Sequence, residues 1–493
     1  MDHESELACA AGGTRFEPMW QAAERLATGK TSAVDLLEQC RKAFEAANPV
    51  VNALILHDFG AARSIAEQRD EELRRGYPAG PLHGIPFSIK ESFDVEGWPT
   101  TCGNPQHAAN IAANDAAVVR RLKEAGAVLI GKTNVPLHLR DWQSYNDIYG
   151  TTRNPRDPDR TPGGSSGGSA AAVCTGMSYF DVGSDIGSSL RNPAHYCGVF
   201  SHKSSHGLIS LRGHGIGVLL DTQDINVAGP FARSATDLEL VFRTLAVPAN
   251  PVMHFELPAS RARTLREFRV GIMLQCPIAE VDNEVAFALE QLGHRLEQEG
   301  VRVSWNARPE IDLPALWRTY VLMLRAATSV YLDDAAFCAV LALVGKAVGG
   351  DASYAALQFD GTALHHRDWL LLEKARLRFA AAWDRFFDEY DVLLCPAAAS
   401  VAFPLNEAED PWQRFITVNG KHQPMTTQLF WAGHSGLCGL PSTVAPVGVT
   451  TNGLPVGVQI VARRYHDLTS MRFAQCLEQI DYRFTPPHLF NNI

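Results

Sequence analysis

The sequence predicts an α/β fold in which a mixed, mostly parallel twisted sheet is covered by helices on both faces. Three observations lead there. Short apolar and β-branched runs alternate with longer stretches of helical period, the pattern of strands joined through crossover helices. The 493 residues contain no low-complexity linker and no internal repeat. Apolar residues make up 46% of the chain, enough to fill a sizeable core.

The elements follow in chain order. Ser32 and Asp35 have capping-box spacing, and Val34, Leu36, Leu37 and Cys40 then recur at helical intervals. Residues 1–60 therefore read as a helical arm packed on a main domain, 61–493. Strands are expected at 84–90, 127–130, 269–274, 301–305 and 391–395. Helices are expected at 116–125, after Ser169, at 283–298 and at 369–390. The segment 313–348, with Trp317, Tyr320, Met323 and Phe337, is the most apolar helical stretch and reads as core or as the wall of a hydrophobic pocket.

Composition and charge exclude several classes of function. A formal net charge of -10 without a basic stripe argues against nucleic-acid and anionic-membrane binding. No stretch reaches the roughly 18 apolar residues of a membrane span. The acidic start Met1-Asp2-His3-Glu4 lacks a signal peptide's charged and apolar regions, so the protein reads as cytoplasmic, a monomer or homodimer. Ten cysteines are spread singly with no Cys-x-x-Cys pair and read as reduced thiols, with Cys174 and Cys338 acting as small hydrophobes. Seventeen histidines include no His-Glu-x-x-His, so neither metal nor cofactor is expected.

The chemistry concentrates in three segments. The run Gly163-Gly164-Ser165-Ser166-Gly167-Gly168-Ser169 leaves backbone N–H groups unshielded and offers hydroxyls beside them. A second hydroxyl-bearing turn is Gly183-Ser184-Asp185-Ile186-Gly187-Ser188-Ser189-Leu190-Arg191. In the strand 84–90, period-two alternation puts Ile85, Phe87 and Ile89 on one face, with Ser88 and Lys90 on the other. A free lysine titrates near about 10.4, so Lys90 can act as a base near neutrality only where burial depresses that value by roughly 3 units.

These segments, with 75 positions from Lys90 to Ser165 and 24 from Ser165 to Ser189, resemble the hallmark segments of the amidase signature family. Further echoes are Asp221, Gly229-Pro230, Ala232-Arg233-Ser234, Tyr390-Asp391-Val392, Gly439-Leu440-Pro441 and the segment 453–459, so the resemblance spans about residues 65 to 480. It implies that Ser189 is the nucleophile, Ser165 a proton relay on a cis peptide bond, and neutral Lys90 the general base. It also implies an oxyanion hole of backbone N–H groups at Ile186, Gly187, Ser188 and Ser189. Asp185 and Arg191 would hold the turn, and Ser166 would tune Lys90 or Ser165. The activity implied is cleavage of amide C–N bonds, including anilides, carbamates (urethanes) and esters, through an acyl- or carbamoyl-enzyme on a small-molecule substrate. Trp142, Tyr145 and Tyr149, ahead of the glycine run, are candidates for an aromatic-lined substrate pocket.

Two departures from the family pattern stand out. Ser188 occupies a place where glycine is usual and is expected to narrow the acyl side of the pocket or disturb the donors. Lys203-Ser204-Ser205 stands where Lys-Pro-Thr is common. Two competing readings remain. One is the glutaminase component of a tRNA-dependent amidotransferase, which would need a partner protein. The other takes Gly163-Gly164-Ser165-Ser166-Gly167 as a nucleophile elbow of an α/β-hydrolase, with His434 or His466 as base.

Overall fold

The computed structural model describes residues 15–247, 255–345, 353–408, 410–411 and 413–490. The acidic start, Cys9 and the last positions of the segment 313–348 lie outside the described residues.

Eleven strands form one sheet: β1 (Leu54–His57), β2 (Pro86–Lys90), β3 (Val128–Thr133), β4 (Phe180–Asp185), β5 (Phe200–Lys203), β6 (Val227–Ala232), β7 (Arg269–Ile272), β8 (Arg302–Trp305), β9 (Val392–Pro396), β10 (Ser442–Val449) and β11 (Pro455–Val461). Their order across the sheet is β1-β3-β2-β4-β6-β5-β10-β11-β9-β7-β8. Helices flank this sheet, as expected, but the balance of strand directions differs from the expectation. Parallel pairing joins β3 to β2, β2 to β4, β9 to β7 and β7 to β8, while the other six neighbouring pairs are antiparallel. The reason is connectivity. Parallel neighbours need a long crossover, such as the helix Asn283–Gln298 between β7 and β8, whereas β10 and β11 follow each other through a short turn at Gly453.

The N-terminal helix Ala33–Val51 begins as its sequence predicts. Ser32 Oγ accepts the Asp35 N–H and Asp35 accepts the Ser32 N–H, both at 3.0 Å. Asp70, on the helix Phe59–Arg74, accepts the Ala33 N–H at 2.7 Å and ties the two helices together. Residues 54–57, within the segment read as an arm, form the sheet edge β1 against β3.

Two large apolar clusters fill the molecule. One packs β1–β4 against the N-terminal helices and the helices Ala117–Glu124 and Ala235–Leu245. The other packs β7–β11 against the helices Asn283–Gln298, Leu313–Ser329, His366–Glu389 and Leu429–Gly436. Of the apolar segment beginning at Leu313, the first helix is core and also lends Leu324 to a cavity wall. The second, Asp334–Leu341, buries none of its residues, so Cys338 is exposed rather than a buried hydrophobe, while Cys174 is buried. The nine described cysteines are all free. Among the described residues no helix is long and apolar enough to cross a membrane.

Candidate active site

The sheet brings the three segments to one place. Strands β2 and β4 are parallel neighbours, so Lys90 and Asp185, at their C-terminal ends, emerge at the same edge. The serine run enters the buried helix Gly167–Cys174, and the turn after β4 enters the buried helix Arg191–Cys197. Lys90 is fully enclosed, and its Nζ donates to Ser165 Oγ at 2.7 Å and to Ser184 Oγ at 3.0 Å. Burial brings the amine's pKa down to about 7, although Cys102, Asp185, Asp181 and Glu91 act in the opposite direction. A depressed pKa does not by itself mark a base. Lys203 is equally buried and also brought to about 7, first by burial and then by Arg191, yet its Nζ is spent on the Leu440 carbonyl at 2.8 Å.

Ser165 sits on a cis peptide bond after Gly164. Asn192 clasps that glycine from both sides: Oδ1 accepts the Gly164 N–H at 3.0 Å, and Nδ2 donates to the Gly164 carbonyl at 2.7 Å and to the Ser188 carbonyl at 2.8 Å. A Cβ on Gly164 would stand 2.4 Å from the Asp141 carbonyl oxygen and 2.5 Å from that of Gln143, so only glycine fits there. Ser166 does not reach Lys90 directly. Its Oγ pairs with the Ser184 backbone, donating to the carbonyl at 3.3 Å, and so steadies the residue whose hydroxyl touches Lys90.

The turn carrying Ser189 is held by a buried ion pair. Asp185 accepts Arg191 Nη2 at 2.8 Å and Nε at 2.9 Å, together with the N–H groups of Ser188 at 2.9 Å and Leu190 at 3.1 Å. Burial alone would raise the pKa of this carboxyl, but the Arg191 guanidinium and the hydrogen bonds hold it below its ordinary value. Arg191 extends the tie to the Ala432 carbonyl, Ser435 and Gln459, and thus to the opposite half of the sheet. The carbonyls of Ile186 and Gly187 are pinned by Tyr320 Oη at 3.2 Å and Trp142 Nε1 at 2.8 Å. Among the described residues the N–H groups of Ile186, Gly187 and Ser189 meet no acceptor. The expected fourth donor, Ser188, is different because its N–H is committed to Asp185.

Two cavities meet at Ser189. The inner one, ≈ 580 Å³ including its mouth, is lined by Trp142, Ile186, Gly187, Leu324, Met425 and Leu429, among others. The outer cleft, ≈ 2080 Å³ including its mouth, also holds Ser165, Ser184 and His214. A family model described as Amidase matches residues 35–470.

The chain belongs to the amidase family. It is 31% identical over 475 residues to the indoleacetamide hydrolase of Bradyrhizobium diazoefficiens, covering 94% of this chain and 87% of that one. It is 31% identical over 474 residues to a glutamyl-tRNA(Gln) amidotransferase component from Moorella thermoacetica, covering 90% and 93%. A solved amidase structure superposes with a TM-score of 0.76 at 28% identity, over 94% of this chain and all of that one. The family membership makes the protein an amide C–N hydrolase.

Within this amidase, several sequence expectations are revised by the geometry. Trp142 does line the inner cavity. Tyr145 and Tyr149 line neither cavity; Tyr145 Oη instead accepts Arg414 Nη2 at 2.8 Å, beside the buried Arg414–Asp141 ion pair. Ser188 also lines neither cavity. It adopts a positive φ of 77° and turns its hydroxyl 3.5 Å from the Ala397 carbonyl, so it narrows neither of them. The elbow alternative lacks its base. His434 is walled in by Trp383, Phe430 and Trp431 with neither ring nitrogen hydrogen-bonded, and His466 precedes the helix Asp467–Glu478; the group that touches Ser165 Oγ is Lys90. Sequence reading missed Asn192 and His214, placed Ser184 in the hydroxyl-bearing turn without a role, and gave Tyr320 only as part of the core-or-pocket segment 313–348. Of the two missed residues, Asn192 carried a usable signal as the neighbour of Arg191 in the same motif.

Proposed function

We propose that the protein hydrolyses amides and N-aryl carbamates by covalent catalysis on Ser189. The observation that carries this reading is the 2.7 Å contact between a buried Lys90 and Ser165, in a cleft shared with Ser189. Neutral Lys90 takes the Ser165 proton while Ser165 takes that of Ser189, and Ser189 Oγ bonds to the carbonyl carbon. The oxyanion that forms is met by the N–H groups of Ile186, Gly187 and Ser189. Collapse breaks the C–N bond as Ser165 hands its proton to the departing nitrogen and recovers one from Lys90. Water then attacks the acyl group as its proton passes through Ser165 to Lys90; the Ser189 Oγ–C bond breaks, that proton returns through Ser165 to Ser189 Oγ, and the acid departs. From an N-aryl carbamate, C–N cleavage leaves an alkoxycarbonyl group on Ser189 and releases the aryl amine.

The relay must reach the departing nitrogen, so the leaving group occupies the outer cleft on the Ser165 side. The acyl group then occupies the inner cavity beside Trp142, Leu324 and Met425, whose apolar walls suit a compact aromatic or aliphatic acyl chain. A panel of 4-nitroacetanilide, phenylacetamide, an N-phenyl carbamate and a phenyl ester tests the substrate class, and a fluorophosphonate probe with peptide mapping tests the nucleophile. The expected outcome is turnover of both aryl-amine substrates and an adduct on Ser189 that Ser189→Ala abolishes. An adduct elsewhere, or retained turnover in Ser189→Ala, overturns the reading. The likeness to the amidotransferase component supports a second reading, in which glutamine is the substrate and a partner protein receives ammonia; hydrolysis of glutamine alone, and only with a partner added, would favour it.

A further inference from the structure

Lys90 has a second hydroxyl neighbour, and that neighbour has a histidine behind it. Ser184 Oγ lies 3.0 Å from Lys90 Nζ and 2.9 Å from His214 Nε2. With the 2.7 Å contact to Ser165, this makes an unbroken chain His214–Ser184–Lys90–Ser165. The ring is held in place by Phe93, 4.7 Å away between centroids, and it borders the outer cleft. We propose that His214, acting through Ser184, sets the direction of this chain and thereby decides whether Lys90 meets Ser165 as a proton acceptor or as a donor. The inference rests on the reading of Lys90 as base.

The argument is one of counting protons and lone pairs. A neutral amine has two N–H groups and a single lone pair, and base work requires that the lone pair face Ser165. Ser184 has one proton to place. When His214 carries its proton on Nδ1, Nε2 is an acceptor. Ser184 then donates to the ring and accepts an N–H from Lys90, which leaves the lone pair for Ser165. When the proton sits on Nε2, the ring donates to Ser184, whose own proton turns to the Lys90 lone pair. The amine then meets Ser165 only as a donor, and Ser165 cannot pass a proton to it. An imidazolium would impose the same unproductive direction. Burial, and then the nearby Lys90, keep the ring neutral by bringing its pKa down to about 3. Nδ1 is enclosed with no partner on another described residue, and the contact of the ring with its own backbone carbonyl favours a proton on Nδ1, the tautomer that leaves Nε2 as acceptor. The carboxyl groups acting on Lys90 are those of Asp185, Asp181 and Glu91, and Lys90 is the charged group acting on His214.

His214 is on this account a positioning residue, and four variants test it with 4-nitroacetanilide as substrate. His214→Leu removes the acceptor, frees the Ser184 proton to occupy the Lys90 lone pair, and should lower kcat by about 10- to 100-fold with KM within about twofold. The midpoint of its pH–rate profile should move toward acid, because the Lys90 ammonium loses a hydroxyl polarised toward the ring. His214→Gln can again present an acceptor near the Nε2 position and should recover most of kcat and the wild-type midpoint. Ser184→Ala also removes the competing proton, so it should be slowed less than His214→Leu, and the double variant should match Ser184→Ala, since His214 acts only through that hydroxyl. A His214→Leu enzyme with wild-type kcat and midpoint overturns the proposal, as does a His214→Gln enzyme that folds yet is as slow as His214→Leu. Lys90→Ala separates the two claims. If it is inactive while His214→Leu is normal, only the role of His214 falls; if it is fully active, the reading of Lys90 as base falls first.

Discussion

At the scale of single residues, the site depends on a lysine that the fold keeps away from water. Lys90 binds its proton weakly because burial penalises the ammonium, and the resulting pKa of about 7 sets where the amine is free to act. The sign follows directly: below about 7 the amine is protonated and cannot accept from Ser165, and above it the base is ready. With 4-nitroacetanilide as substrate, kcat/KM should rise about tenfold per pH unit on the acid side and level off above about 7. Lys90→Arg should stay inactive even at high pH, since a guanidinium does not deprotonate there. Rates from pH 5.5 to 9.5 check both; a flat wild-type profile would sink the assignment of the base. Ser188 offers the opposite kind of test. Its positive φ of 77° disfavours any side chain, and its hydroxyl makes only a 3.5 Å contact to Ala397. Ser188→Gly should therefore leave the ranking of substrates unchanged and raise stability by about 1 kcal/mol in denaturant unfolding.

At the scale of elements, the strand–turn–helix unit from β4 through Arg191 shows what the sequence could and could not reveal. The motif residues Asp185, Ser189 and Arg191 were readable because their segment resembles a hallmark segment of the amidase signature family. The strand that carries them was not. Phe180–Asp185 reads FDVGSD, Phe200–Lys203 reads FSHK and Val227–Ala232 reads VAGPFA, segments interrupted by glycine, proline and polar groups that hide their strand character. These are buried strands in which several polar side chains are satisfied by neighbours, as in the Lys203 contact to Leu440 and the Ser201 contact to Leu190. The strands that could be read, β2, β3, β7, β8 and β9, are those with apolar runs beside helices, and this biased the expectation toward parallel pairing. Every antiparallel pair in the sheet includes a strand that the pattern concealed. The Asp185–Arg191 pair is the unit's weak point. Arg191→Met would strand a buried carboxylate and should destabilise the protein by about 3 to 5 kcal/mol while abolishing turnover. Adding Asp185→Asn should restore part of the stability in thermal unfolding but none of the activity, because the Ser189 turn loses its charged anchor.

At the scale of the whole molecule, the candidate site lies where the two apolar halves meet, so its walls come from elements far apart in sequence. One half supplies β2 and β4 with Lys90 and Asp185. The other supplies the helices Leu313–Ser329 and Leu429–Gly436, which close together because a Cβ on Gly433 would stand 2.3 Å from the Tyr320 ring. This explains why pocket residues were the least legible part of the sequence: Trp142 was found by its nearness to the glycine run and Leu324 only as part of a segment open to two readings, whereas Met425 joins them only after folding. The same geometry places an exposed apolar rim on the outer cleft, with Leu219 73% exposed, Leu220 67% and Val330 74%. A leaving group that enters past this rim gains by covering it, at roughly 25 cal/mol per Å² of apolar surface. Leu220→Asp should therefore lower kcat/KM about 5- to 10-fold for an N-aryl substrate with an extended apolar leaving group, and leave unchanged that for a primary amide, whose leaving group is ammonia. Equal losses on the two substrates would place the effect on folding instead of on the cleft, and no loss on either would move the leaving group to the inner cavity and reverse the assignment of the two sides of Ser189.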